Sequence, residues 1–336
     1  MIKTTGITDM LNRTKTKALL TATIAASILI CGCGVKKDSD DKVLLQFDES
    51  ITEVTSDGQK DLLEIKNDGR NFYQFDPDNN LLIASGFFCS NVSIINMETG
   101  VKNVIGFPES ERGLGGTDYE GQELSGQNAW YEDGKVSFYA TSHDDQKLVV
   151  FTFDCATGEL KDTARYDVER PAFVRDAGNY IVYVKSLMVD AGDNKYKTQY
   201  DLNIFDKTTG EDITVASDIG KQPARGYDMI TLNSDKTKVL FTETKDNTPA
   251  LYEYDIPSGE IREVYKCSKD DYISGFTYAW GSNKIYLRYG RMFSSLFNYE
   301  CLPNYTMVIT TDGRTYELHS SLVHGYNINY TGIAVY

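Results

Sequence analysis

Apolar runs in this chain are short, and they recur. "NLLIASG" (80–86), "KVSFYAT" (135–141), "NYIVYVK" (179–185), "KVLFTET" (238–244) and "KIYLRYG" (284–290) are spread along its length. Each follows a cluster of turn formers: "DPDNN" (76–80), "EDG" (132–134), "RDAGN" (175–179), "NSDK" (233–236) or "GSN" (281–283). Runs this short, rich in β-branched and aromatic residues and bounded by Asp, Asn and Gly, predict strands rather than helices. Most of the clusters also have a second short run in front of them, such as "NFYQF" (71–75), "PAFV" (171–174), "DMITL" (228–232) and "GFTYAW" (275–280). Each such pair reads as a hairpin.

A second hairpin follows each of these pairs. "SIINMETGVKNVI" (93–105), "VFTFDCATGELKDTARY" (150–166), "LNIFDKTTGEDITVA" (202–216), "LYEYDIPSGEIREVY" (251–265) and "MVITTDGRTYEL" (307–318) share one design. An apolar strand enters a turn that ends in Gly, and another strand leaves it. The glycines are Gly100, Gly158, Gly210, Gly259 and Gly313, at spacings of 58, 52, 49 and 54 residues. Glycine suits that place because a tight turn that needs φ > 0 is costly for a residue with a Cβ. Four strands in each unit of about fifty residues is the pattern of a β-propeller blade. A β-sandwich has no reason to repeat the same two hairpins five times.

The chain ends supply one more unit. "YNINYTGIAVY" (326–336) reads as its first two strands, with Tyr330, Thr331 and Gly332 as the turn. Its second hairpin comes from "KVLLQF" (42–47) and "TEVTSDGQKDLLEI" (52–65). Pairing the two ends closes the ring and removes exposed sheet edges. The expectation is therefore an all-β, six-bladed β-propeller with four-stranded blades, closed by N- and C-terminal strands, over residues 42–336. The pattern resembles the six-bladed TolB-like propeller lipoproteins and periplasmic proteins. The resemblance covers about residues 42–336 and is one of architecture; the family's Ser-Pro-Asp-Gly turn survives in part, as "EDG" (132–134) and "FDPDN" (75–79).

The region before residue 42 has a different character. Residues 18–30 are without charge, preceded by Lys3, Arg13, Lys15 and Lys17, with Asp9 the only acid. A hydrocarbon core needs roughly 20 apolar residues in a helix. A shorter apolar run behind a positive flank describes a secretory signal. Ile30, Cys31, Gly32 and Cys33 resemble the lipobox of bacterial lipoproteins. That resemblance implies cleavage before Cys33 and a diacylglycerol on its thiol; an uncleaved N-terminal anchor is the alternative. The expected division is a lipoprotein signal peptide at 1–32, a polar tether at 33–41 and the propeller at 42–336. Either anchor puts the body outside the cytoplasm, lipid-anchored to the cell membrane on the lipobox reading.

Charge narrows the list of partners. The formal net charge is −15, and the signal contributes +3, so the mature part carries −18. An acidic body is repelled by phosphate backbones, which argues against nucleic acid as a partner. Cys89, Cys155, Cys267 and Cys301 have no zinc-ligand spacing, and their pairing cannot be assigned from sequence. Isolated buried thiols are the expectation for at least two of them.

Little catalytic chemistry is legible. His143, His319 and His324 are the only histidines, and none lies in a metal motif. No nucleophile elbow is present. "DAGDN" (190–194) and "DPDNN" lack the calcium-loop pattern. No metal or cofactor is expected, and enzymatic activity is the lesser expectation.

The insertions are more informative. Residues 106–128, 186–200 and 290–305 read as long loops that all leave the same face of a propeller, whereas turns on the other face are tight. Insertions gather on a face that binds something. Candidate ligand-binding residues are Arg112, Tyr119, Tyr196, Arg225, Arg291, Phe293, Phe297, Tyr299 and Tyr305, since Tyr and Arg anchor interfaces and aromatic rings stack on sugars. The expected role is binding or scaffolding of a protein, peptide or cell-surface glycan. The alternative is a propeller hydrolase or lyase acting on cell-surface polymers.

Overall fold

The computed structural model describes residues 43–47, 50–55, 58–64, 70–76, 79–86, 91–106, 129–141, 147–169, 171–192, 195–220, 229–269, 271–279, 281–294, 299–301, 305–317 and 333–335. All of them fall in one compact unit, Asp38–Tyr336. The signal peptide and tether, with Cys33, lie outside the described residues.

The chain begins with β1 (Val43–Phe47), β2 (Ser50–Thr55) and β3 (Gly58–Glu64). Next come β4 (Arg70–Asp76), β5 (Leu81–Gly86), β6 (Asn91–Asn96) and β7 (Lys102–Gly106). They are followed by β8 (Ala129–Glu132), β9 (Lys135–Thr141), β10 (Leu148–Asp154) and β11 (Leu160–Tyr166). The fourth group is β12 (Pro171–Ala177), β13 (Tyr180–Gly192), β14 (Lys195–Asp206) and β15 (Asp212–Ala216). The fifth is β16 (Ile230–Leu232), β17 (Lys238–Lys245), β18 (Thr248–Asp255) and β19 (Glu260–Lys266). The last is β20 (Asp271–Tyr278), β21 (Ile285–Ser294), β22 (Tyr299–Cys301), β23 (Tyr305–Ile309) and β24 (Thr315–Glu317), with β25 (Ile333–Val335) at the end.

The protein is an all-β β-propeller. Five blades are antiparallel meanders of consecutive strands: β4–β7, β8–β11, β12–β15, β16–β19 and β20–β24, with β22 an appendage on β21. A further sheet, β25-β1-β2-β3, is assembled from both chain ends. The expected composition of that sheet differs on its N-terminal side. Two C-terminal strands and an N-terminal hairpin were anticipated; the described residues show one C-terminal strand and three N-terminal ones. The N-terminal segment is broken twice, near 48–49 and 56–57, so it folds as a three-strand meander, and only the edge beside β1 is left for β25. Residues 326–332 lie outside the described part.

The inner positions are held by first strands, as contacts between successive blades show for β12, β16, β20, β25 and β4. β12 lies against β16, β16 against β20, β20 against β25, and β25 against β4. The apolar cores lie between blades. One joins Val182, Val184, Leu202 and Ile204 to Ile230, Val239 and Phe241. Another joins Leu240 and Leu251 to Phe276, Leu287 and Met307. A third joins Tyr139, Leu148 and Val150 to Ile181, Tyr183 and Phe205. The middle strands are thus covered on both faces. Ile181–Val184 and Val239–Phe241 are buried without alternation, while outer strands such as β19 are exposed for most of their length. This explains why the middle strands read as continuous apolar runs. It also explains the abundance of tyrosine. Tyr139 and Tyr183 bury their rings between blades, while their hydroxyls donate to Asp176 at 3.2 Å and Asp212 at 2.6 Å.

The recurrent glycine turns have one construction. Gly100, Gly158, Gly210 and Gly259 have φ of +70 to +74°. The amide of each donates to the carbonyl four residues earlier, on Asn96, Asp154, Asp206 and Asp255. The Asx side chain accepts from amides two and three residues on in the first three turns, and from Ser258 in the fourth. The motif is Asx-x-x-Thr/Ser-Gly. The fifth turn, at Gly313, is one residue shorter, with the amide donating to Thr310.

Backbone hydrogen bonds hold Asp154, Asp206 and Asp255 below the usual carboxylate range. A depressed folded pKa means the contribution is present above the unfolded value and fades as pH falls through the folded one. Asp206→Ala is expected to lower the unfolding midpoint at pH 7. Asp206→Asn is expected to hold it, because Asn96 already does this work with an amide, and to flatten the acid limb. Thermal unfolding from pH 3 to 7 measures both; an Asn variant as unstable as the Ala variant would show that the charge, not the acceptor, matters.

Candidate functional site

In an antiparallel meander, the turns after the first and third strands fall on one face. The connection after the second strand and the crossing to the next blade fall on the other. On the first face all connections are tight, and neighbouring turns are tied together. The residues after the four Asx positions, Met97, Cys155, Lys207 and Ile256, donate their amides to Asn80, Gly134, Asn179 and Thr237 in the facing turn at 2.9–3.0 Å.

Charged side chains extend this tie across blades. Lys236 in the β16–β17 turn reaches Glu132 in the β8–β9 turn at 3.2 Å and Asp176 of β12 at 3.6 Å. Asp176 also pairs with Lys207 and accepts from Tyr139. The Asn233 amide donates to Asn283, and Gly281 N–H donates to Ser234. These contacts link the tight-turn ends of four blades. Such a lattice is saturated by its own partners and reads as scaffold.

The opposite face differs. The expectation of a loop at 186–200 is wrong for the described residues, since 186–192 and 195–200 are strand. β13 and β14 pair from Tyr180↔Asp206 to Gly192↔Lys195. β12 accompanies β13 only as far as Pro171↔Lys185, and β15 accompanies β14 only from Leu202↔Ala216. Beyond those points a two-stranded ribbon projects from the blade. Its polar composition misled because most of the ribbon meets water, with Leu187 and Val189 half-buried along one face, so exposure, not irregular backbone, selects Asp, Lys, Gln and Thr there.

On one face of the ribbon stand Met188, 62% exposed, and Tyr196, 69% exposed. They are placed by the pairs Met188↔Thr198 and Asp190↔Tyr196, and side chains directly opposite share a face. The Thr198 hydroxyl lies 3.7 Å from the Met188 sulfur. Met188 was not among the sequence candidates; the alternation Ser186, Met188, Asp190 against Leu187, Val189 was the available signal.

The segment 290–305 is likewise part strand. β21 continues to Ser294, and β22 folds back on it through Met292↔Cys301, Phe293↔Glu300 and Ser294↔Tyr299. Arg291 stands opposite Asp271, and Tyr305 opposite Tyr289. Tyr196 belongs to the β12–β15 blade and these four residues to the β20–β24 blade, with β16–β19 between them. The backbone therefore places these positions in two blades that are not adjacent. In the intervening blade Lys245 lies 5.7 Å over the Tyr252 ring. Arg112, Tyr119, Arg225 and Phe297 lie outside the described residues.

Near this face the innermost strands are irregular. β4, β12 and β20 carry register shifts at Arg70/Phe72, Ala172/Arg175 and Ile273/Gly275. Phe173 has φ +45°, a strained value for a bulky side chain.

Among the described residues no group of three or more His, Cys, Asp or Glu is placed to hold a metal. All three histidines lie outside those residues. Cys267 matches the expected isolated buried thiol, and burial pushes it up to about 12. Cys155 is free but exposed, because it occupies the second position of an Asx turn.

No protein-family model and no curated protein matches the chain. Solved structures do. A nidogen/laminin complex chain is 9% identical, covering 88% of this chain and 98% of that one, with a TM-score of 0.51. TolB from Acinetobacter baumannii is 14% identical, covering 93% and 71%, with a TM-score of 0.50. An oligogalacturonate lyase in complex with manganese is 10% identical over 88% of each chain, with a TM-score of 0.44. At such identities what is shared is the fold, a β-propeller.

Proposed function

We propose that this chain is a membrane-anchored, extracytoplasmic propeller lipoprotein that binds or scaffolds a protein, peptide or cell-surface glycan. The carrying observation is the asymmetry of the two faces. Among the described residues, one is tied together by its own hydrogen bonds and ion pairs; the other carries a projecting ribbon with exposed Met188 and Tyr196. The composite sheet β25-β1-β2-β3 acts as the sixth blade, since β25 lies between β20 and β4 in the inner ring. Cys33 carries the lipid.

A photo-crosslinking residue at Tyr196 is expected to form adducts in intact cells, and one at Thr208, on the tight-turn face, none. Equal yields from both would overturn the assignment of the binding face. Cys33→Ser is expected to abolish labelling by a clickable palmitate analogue, and equal labelling would remove the anchor.

A further inference from the structure

We propose that the projecting part of β13, residues 186–190, is a strand-addition site. Its ligand is an extended peptide of another protein, antiparallel to β13, with a basic residue two positions before an apolar one. This rests on the binding-module reading and specifies the ligand of that face.

An unpaired strand edge presents a row of backbone donors and acceptors, and proteins ordinarily guard such edges with Lys, Pro or a covering loop. The two edges of the ribbon are treated differently. The β14 edge carries exposed Lys195 and Lys197 and is flanked by residues 217–219: Lys197 pairs with Asp218 at 3.4 Å, and Ile219 N–H donates to the Tyr200 carbonyl at 2.8 Å. The β13 edge reads Ser186, Leu187, Met188, Val189, with no charge before Asp190 and no proline. Among the described residues no strand pairs with it.

The chain itself turns away from this edge. β12 stops at Pro171, and the residues before it bury Val168 beside Tyr139, Leu148 and Ile181. Glu169 closes the corner on Lys185 at 3.1 Å. A peptide continuing the line of β12 would pair antiparallel with 186–190, as in β-augmentation.

The side chains set the preference. Met188 and Asp190 share a face, so an antiparallel peptide meets Asp190 two residues before Met188. A cation there faces the carboxylate and reaches the exposed Tyr196 ring across the pair. An apolar residue then covers Met188. The net charge of −15 favours the same ligand sign. A second copy fits less well: pairing 186–190 with itself about Met188 sets Ser186, not a cation, opposite Asp190.

The test uses the full chain and a labelled nonapeptide of alternating threonine and valine with one lysine two residues before a leucine. Fluorescence anisotropy is expected to show saturable binding, and hydrogen exchange is expected to show slowed amides at 186–190. Met188→Lys, at an exposed position, and a lysine-to-glutamate peptide should each weaken binding tenfold or more; a backbone N-methylated peptide should not bind. No binding at millimolar peptide, unchanged exchange at 186–190, or full binding by Met188→Lys overturns the proposal. So does a self-associated dimer in sedimentation that Met188→Lys dissolves. Adducts at Tyr196 in cells alongside any of these failures would leave the binding-face reading standing and remove only the strand-addition site.

Discussion

Glu253→Ala is expected to destabilise the protein by about 3 kcal/mol, because it breaks a buried ion pair while leaving its partners in place. Glu253 is on β18 and 2% exposed. Its Oε1 accepts from Arg262 Nε at 2.7 Å and Lys238 Nζ at 3.2 Å, and its Oε2 accepts from Tyr278 at 2.8 Å. Tyr278 belongs to β20, so the group pins two blades together. Without the carboxylate the buried Tyr278 hydroxyl loses its acceptor, and two cations face each other. Tyr278→Phe, which removes one hydrogen bond, is expected to cost only about 1 kcal/mol.

The pH dependence follows. Burial pushes the Glu253 carboxyl up, but Arg262, Tyr278 and Lys238 pull harder and hold it below its ordinary value. The stabilisation is therefore complete above the unfolded pKa of about 4.3 and is lost as pH falls through the folded value. Urea unfolding should show wild type and Glu253→Gln well separated at pH 7 and converging in acid. Curves that stay parallel to pH 3 would mean the charge is not what holds the site.

Leu251→Ala is the second large effect, about 3 kcal/mol, for a buried leucine whose surroundings cannot collapse. Leu251 is fully buried and shares a core with Leu240, Cys267, Leu287 and Met307. That core is the contact between blades β16–β19 and β20–β24. Because the cores of this fold lie between blades, the cavity weakens a junction rather than a single sheet. Leu251→Met keeps the volume and is expected to cost less than about 1.5 kcal/mol. Equal losses for both variants in calorimetry would mean that side-chain shape, not the cavity, governs the site.

The repeating hairpins were legible because four blades share one local solution: an Asx-x-x-Thr/Ser-Gly turn built from bonds within five residues. Buried middle strands were legible because both of their faces are covered, which removes polar positions. The ribbon was misread because the composition of a largely exposed strand matches that of a loop. Pairing, not burial, makes it a strand, and pairing is not written in either strand alone.

Sequence by itself determined the fold class and the turn positions, since these follow from local periodicity and alternating strand direction. Only the tertiary structure decided three things. It gave the N-terminal share of the composite sheet three strands rather than a hairpin. It brought Lys236 to Glu132, 104 residues away. And, among the described residues, it left the β13 edge unpaired beside a guarded β14 edge. Each depends on which neighbours fill the space around a backbone, and those neighbours come from distant parts of the chain.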